Sequence, residues 1–162
     1  SGSSYRCGAV VKRCRNRTID LIPYPQMSSL NRIVVSGYEA LRTEISKWSD
    51  GGKKGRLVLL FLSDHVDGKG WCPDCVTVEP LVDEAVKDAA VVAATASGDV
   101  TVVQAFVGQK EAWKDKTNSF RTSEDLLVDS IPTLLEYGKL DRRLGDKECT
   151  TAEIIKNFIL GL

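Results

Sequence analysis

Trp71-Cys72-Pro73-Asp74-Cys75 is preceded by Leu57-Val58-Leu59-Leu60-Phe61-Leu62 and the polar stretch Ser63–Gly70. The six-residue apolar run lies between turn signals. It is too short for a helix and reads as a central strand buried on both faces. After the cysteines, Val78, Leu81, Val82, Ala85, Val86 and Ala89 fall on one helical face. The Cys pair is thus placed where a buried strand gives way to an amphipathic helix, with Cys72 at or beside the helix N-terminus. Two cysteines at this spacing either supply half of a four-ligand metal site or cycle between dithiol and disulfide.

Helix geometry favours cycling. Unpaired backbone N–H groups and the macrodipole at a helix start favour an anion, by up to ~2 kcal/mol in a partly buried setting. The ionised sulfur is the attacking species in disulfide exchange. Cys75 is three residues on, with Cβ atoms ~5–6 Å apart in a regular helix. A disulfide needs about 3.5–4.5 Å, a gap that a small adjustment of the first turn closes. Pro73 suits that turn because it lacks the N–H that would be unpaired there. Lys69 is expected to add positive charge near the sulfur, and Trp71 to pack beside the disulfide. Asp74 opposes thiolate formation but is placed to shuttle a proton. A zinc site would need two further ligands from His65, Cys149, Cys7 and Cys14, none of which forms a second Cys-x-x-Cys or a Cys-x-x-His. Cys149, near a helix start, reads as a bystander thiol.

Outward from the motif, Arg32–Ser36 reads as a short strand, and Ser36-Gly37-Tyr38-Glu39 has capping-box spacing. Tyr38, Leu41, Ile45 and Trp48 form an apolar stripe on a helix that Asp50-Gly51-Gly52 stops. Pro80 is expected to kink the helix after the motif, which frays in Val91–Ser97 before a turn at Gly98-Asp99. Val100–Val107 is a strand. Gly108–Asp129 is polar, with one or two helical turns anchored by Trp113 and Phe120. Thr133–Tyr137 and a segment near Arg142–Leu144 form a hairpin turned by Gly138. Thr150-Thr151-Ala152-Glu153 is a second capping box, opening a helix with Ile154, Ile155, Phe158 and Ile159 on one side. The order is that of an α/β sandwich built on a βαβ unit.

Composition bounds the function. The 162 residues suit one domain, and a 43% apolar and 27% charged make-up is ordinary for a globular chain. Twenty-two basic and 22 acidic residues balance, yet Arg6, Lys12, Arg13, Arg15 and Arg17 face Asp20 alone in residues 1–26. That segment carries +4 and residues 27–162 carry −4, which argues against a nucleic-acid-binding body. The longest clean apolar run falls far short of the ~18 residues of a membrane span. Five scattered cysteines fit a reducing compartment better than a disulfide scaffold. Residues 1–26 read as upstream or appended sequence, as an Arg-rich transit peptide, or as a basic arm with Cys7 and Cys14. The folded domain is taken to span 27–162, opening at Met27.

Trp71-Cys72-x-x-Cys75 after a buried strand, Pro80, and Ile131-Pro132-Thr133-Leu134-Leu135 together resemble the thioredoxin family. The match tightens for one branch, small cytosolic thioredoxin-related proteins. Gly68-Lys69, Trp71-Cys72-Pro73-Asp74-Cys75, Glu79-Pro80, Val107-Gly108, Trp113-Lys114-Asp115, Phe120-Arg121 and Glu148-Cys149 carry it, and it covers about Ile33 to Leu160. The resemblance implies a thioredoxin-like α/β fold, a central mixed β-sheet flanked by helices on both faces. It implies a redox-active Cys72–Cys75 disulfide, with Cys72 as nucleophile and Cys75 as resolving thiol, and a cis bond before Pro132 facing the pair. The implied activity is cytoplasmic reduction of cystine-like small disulfides, selected protein thiols and peroxides. Electrons would come from NADPH through thioredoxin reductase, with no bound cofactor, in a monomer acting on neither nucleic acid nor membrane. Leu60 stands where thioredoxin places a buried acid, so Asp74 or water would take the Cys75 proton. Longer segments at Ser63–Gly70 and Gly108–Asp129 would reshape the rim, while extra residues near Val91–Ser97 and Thr122–Val128 depart from the branch. The alternatives are a disulfide oxidase or isomerase, a thioredoxin-fold binding or signalling module, and a zinc protein. A dithiol potential near about −250 mV favours the reductase over an oxidase or isomerase at about −120 to −180 mV.

Overall fold

A computed structural model describes residues 32–162. Readings that concern residues 1–26, Cys7, Cys14 and Met27 lie outside the described residues. The elements run β1 (Ile33–Ser36), α1 (Tyr38–Asp50), β2 (Arg56–Leu62), β3 (His65–Val66), β4 (Lys69–Gly70), α2 (Pro73–Val86) and α3 (Ala89–Ser97), then β5 (Val100–Phe106), α4 (Lys110–Lys114), α5 (Ser119–Thr122), β6 (Thr133–Glu136), β7 (Lys139–Leu144) and α6 (Ala152–Leu160).

The apolar run is the middle of the molecule, as expected. Five strands form one sheet in the order β1-β5-β2-β6-β7. β2 runs parallel to β5, Leu57 opposite Thr101 through Leu62 opposite Phe106, and antiparallel to β6, Val58 opposite Glu136. Leu57 to Leu62 are each at most 1% exposed, because a strand with partners on both edges and helices on both faces has no side left for water. α2, α3 and α6 pack together. α1 packs through Tyr38 against Phe120, which also meets Phe61 edge-on at 5.8 Å. The sheet is mixed and flanked on both faces, the α/β thioredoxin-like architecture. No helix among the described residues is long and apolar enough to cross a membrane.

Several local readings change. Ser36 does not cap α1. It stays in β1 opposite Phe106, and Gly37, at φ 91°, takes the N-cap with no side-chain bond. Ser63–Gly70 is a small hairpin, β3 with β4, rather than a plain loop. Ala89 is exposed and opens a separate helix, because the Asp88 carboxylate accepts the Ala90 N–H at 2.9 Å and starts a new turn there. Val91–Ser97 therefore does not fray, and Gly98 closes α3 in the left-handed region at φ 85°. At α6 the cap falls one residue later than the sequence suggests. Thr151, not Thr150, accepts the Ile154 N–H at 3.1 Å. Ile155, Phe158 and Ile159 are buried while Ile154 is 36% exposed. α2 continues for six residues beyond Pro80, which has no N–H to offer the preceding turn.

Candidate active site

Cys72 is the N-cap of α2, with Pro73 at the first helical position. Its sulfur accepts the Cys75 backbone N–H at 3.4 Å, so one of the free donors of the helix start points at the sulfur. The Cys72 thiol also faces the carbonyl of Ile131, 3.8 Å away. Ile131-Pro132 is a cis peptide bond, as the resemblance implies, and it sets that carbonyl beside the pair. Both cysteines are free thiols, Cys72 7% exposed and Cys75 fully buried. Burial holds the Cys75 thiol far above the ordinary range, and the hydrogen bond with Cys72 adds to it. Ser63 pulls the other way through its backbone and its hydroxyl.

The rim has its own clamp. The Trp71 indole N–H donates to the Gly108 carbonyl at 2.9 Å, and the Gly108 N–H donates to the Asp64 carboxylate at 2.9 Å. The Asp64 N–H also donates to Gly108, and the Trp71 backbone N–H donates to the Asp64 carbonyl. Gly108 sits at φ 104°, a conformation that favours glycine. Trp71 thus anchors the motif to the end of β5 while remaining half-buried. A groove of ≈ 420 Å³ beside it is lined by Lys69, Gly70, Trp71, Pro73 and Val76.

The structure brings together Cys72, Cys75, Trp71, Pro73 and the segment before Pro132. It leaves Lys69 and Asp74 exposed. Lys69 lines the groove and makes no ion pair among the described residues. Asp74 lies in the first turn of α2, between the two cysteines. His65 pairs with Glu79 at 2.8 Å instead of joining the cysteines, and no group of three His, Cys, Asp or Glu side chains among the described residues could hold a metal. Cys149 is 3% exposed, with its thiol pushed up to about 12 by burial and by Glu148 and Asp146. The residues that sequence reading missed are Ser63, Asp64, Gly108 and the Ile131 carbonyl. Ser63 carried one signal, being the first polar residue after an unbroken apolar run.

Residues 34–160 match the model of the thioredoxin domain described as thioredoxin domain-containing protein 17-like. The chain is 32% identical over 132 residues to human thioredoxin domain-containing protein 17, covering 80% of this chain and 95% of that one. It is 33% identical to the zebrafish (Danio rerio) protein of that name over the same shares. To the thioredoxin-like protein Clot of rice it is 35% identical over 74% of this chain and 86% of the relative. A dithiol at a helix start, a cis-proline facing it and this family match agree, and the chain belongs to the thioredoxin domain-containing protein 17-like thioredoxin family, whose theme is thiol–disulfide redox chemistry.

Proposed function

We propose that the protein is a cytoplasmic thiol–disulfide oxidoreductase that reduces cystine-like small disulfides and selected protein disulfides. One observation carries this reading. The Cys72 sulfur accepts a helix-start N–H from Cys75 and faces the carbonyl that precedes cis-Pro132. Cys72, as thiolate, attacks one sulfur of the substrate disulfide. A Cys72–substrate S–S bond forms and the first substrate thiolate leaves. Cys75 then attacks the Cys72 sulfur, forming the Cys72–Cys75 disulfide and releasing the second substrate thiol. Trp71 and Pro73 frame the sulfur, while Lys69 and Asp74 present opposite charges at the rim. Backbone beside Pro132 lies where an extended substrate could pair with it. Electrons return from NADPH through thioredoxin reductase, and no bound cofactor takes part.

The hairpin β3–β4 and the Trp71–Gly108 clamp raise a rim around a nearly buried sulfur, which favours small disulfides over bulky ones. A coupled assay following NADPH consumption with thioredoxin reductase, comparing cystine with insulin, tests this. The expected result is turnover of cystine that exceeds turnover of insulin and disappears in Cys72→Ser. NADPH consumption that persists in Cys72→Ser, or is absent with both substrates, would contradict it.

A further inference from the structure

Ser63 is fully buried at the end of β2. Its hydroxyl oxygen accepts the Cys72 backbone N–H at 3.4 Å, and a serine hydroxyl engaged in this way still has its own O–H to donate. The Cys72 sulfur in turn accepts the Cys75 N–H at 3.4 Å, so the hydroxyl and both thiols form one buried cluster, and Ser63 draws the Cys75 thiol down against the effect of burial. The Glu79 carboxylate nearby is paired with His65, and the Asp64 carboxylate accepts the Gly108 N–H. Leu60, one strand residue in from Phe61, is apolar and buried, and Asp74 is exposed.

Gly70 gives a second, independent sign. Its φ is not in the left-handed region, so backbone conformation does not demand glycine there. Space does. A Cβ at Gly70 would lie 2.8 Å from the Ser63 hydroxyl oxygen, and 3.5 Å from both Glu79 Oε1 and Val76 Cγ2. The hairpin strand therefore seals the hydroxyl from water with the one residue that leaves it room.

We infer that the Ser63 hydroxyl serves the resolving step, donating a hydrogen bond to the Cys75 sulfur as that sulfur takes on negative charge, in the place of a buried acid. The inference rests on the dithiol reading proposed above. In the step itself the Cys75 S–H bond breaks, the Cys72–Cys75 S–S bond forms, and the bond from Cys72 to the substrate sulfur breaks. The departing substrate thiolate accepts the proton, directly or through solvent. The substrate is reduced, the protein dithiol is oxidised, and Ser63 keeps its own proton.

The test uses the full chain, reduced, and mixed rapidly with a chromogenic aromatic disulfide. The first released thiol reports attack by Cys72 and the second reports resolution by Cys75. A hydrogen bond to a developing charge is worth roughly a ten- to hundredfold factor. Ser63→Ala is expected to slow the second phase by about that much at neutral pH and to move its pH midpoint upward by about one to two units, with the first phase changed far less. Ser63→Thr, which retains the hydroxyl, is expected to restore the second phase. Gly70→Ala, pressing a methyl group onto the hydroxyl, is expected to slow it. A folded Ser63→Ala protein with an unmoved second-phase midpoint, or with both phases slowed alike, overturns the role of Ser63 and leaves the dithiol reading intact. Should Ser63→Ala not fold, an unchanged second phase in Gly70→Ala overturns it. Absence of both phases in the unaltered protein overturns the dithiol reading itself.

Discussion

Among the described residues, two regions place a nearly buried cysteine close to the start of a helix, and they differ in what surrounds the sulfur. Cys72 is 7% exposed and Cys149 is 3% exposed, so accessibility alone hardly separates them. Position does. Cys72 is the N-cap residue of α2, and a helix-start N–H points at its sulfur. Cys149 lies two residues before the cap of α6, where Thr151 takes the corresponding role. Around Cys149, burial and the carboxylates of Glu148 and Asp146 all disfavour the anion. Around Cys72 stand a second thiol and a carbonyl beside a cis-proline, and the neighbouring Trp71 and Pro73 line a groove of ≈ 420 Å³. A sulfur merely near a helix start receives no N–H from it; the sulfur has to occupy the cap.

The contrast can be broken most sharply by removing each sulfur. Cys72→Ser is expected to reduce disulfide turnover to the uncatalysed background, whereas Cys149→Ser should leave it within about twofold, as expected of a thiol outside the exchange. A Cys149→Ser variant that lost most activity while melting normally would erase the distinction.

Next in size is reactivity. At pH 8 a thiol pushed up to about 12 holds on the order of a thousandfold less thiolate than an ordinary one. Iodoacetamide should therefore leave Cys149 unlabelled in the native protein and label it readily after unfolding, as peptide mapping would show. The sign of the linked stability follows. A thiol whose folded value is raised contributes its full stabilisation below the ordinary thiol range and loses it as pH rises through about 12. Melting temperature should fall with increasing alkalinity above about pH 9, and less steeply in Cys149→Ala.

A smaller effect belongs to the clamp. Trp71→Phe keeps the ring and deletes the hydrogen bond to Gly108. Turnover with cystine should drop about three- to tenfold with little change in melting temperature. A normal rate would mean that the rim does not hold the motif in place.

The smallest effect tests the helix cap at the quiet site. Thr151→Ala removes the bond to the Ile154 N–H and should cost about 1 kcal/mol of stability. Activity should be unaltered. Chemical denaturation and the coupled assay on the same sample would show both.

What could be read from the residues alone was whatever depends on pattern along the chain. Leu57–Leu62 declared itself as a central strand because only a doubly covered strand tolerates six apolar residues in succession. The Cys pair declared its helix start because a strand, a proline and an apolar stripe bracketed it. The family resemblance added the cis-Pro132, which no spacing rule supplies. The misread features depend on which of two adjacent polar groups finds a partner. Ser36 could have capped α1 but stayed in the sheet with Phe106. Thr150 has the capping-box spacing to Glu153, yet three-dimensional placement chose Thr151. Asp88 started a helix where the apolar pattern seemed only to fade. Ser63 is the instructive case. At the end of a hydrophobic run it looks like the first residue of a loop, and only the folded chain shows the hairpin closing over it and the Cys72 N–H donating to its hydroxyl.

The central claim is that substrate sulfur is captured by Cys72 and released by Cys75. The most direct measurement is made on Cys75→Ser, incubated with cystine and then mapped by mass spectrometry without reductant. Half a cystine attached to Cys72, with Cys149 unmodified, is the predicted result. Attachment at Cys149, or no adduct on a folded protein, would contradict the account.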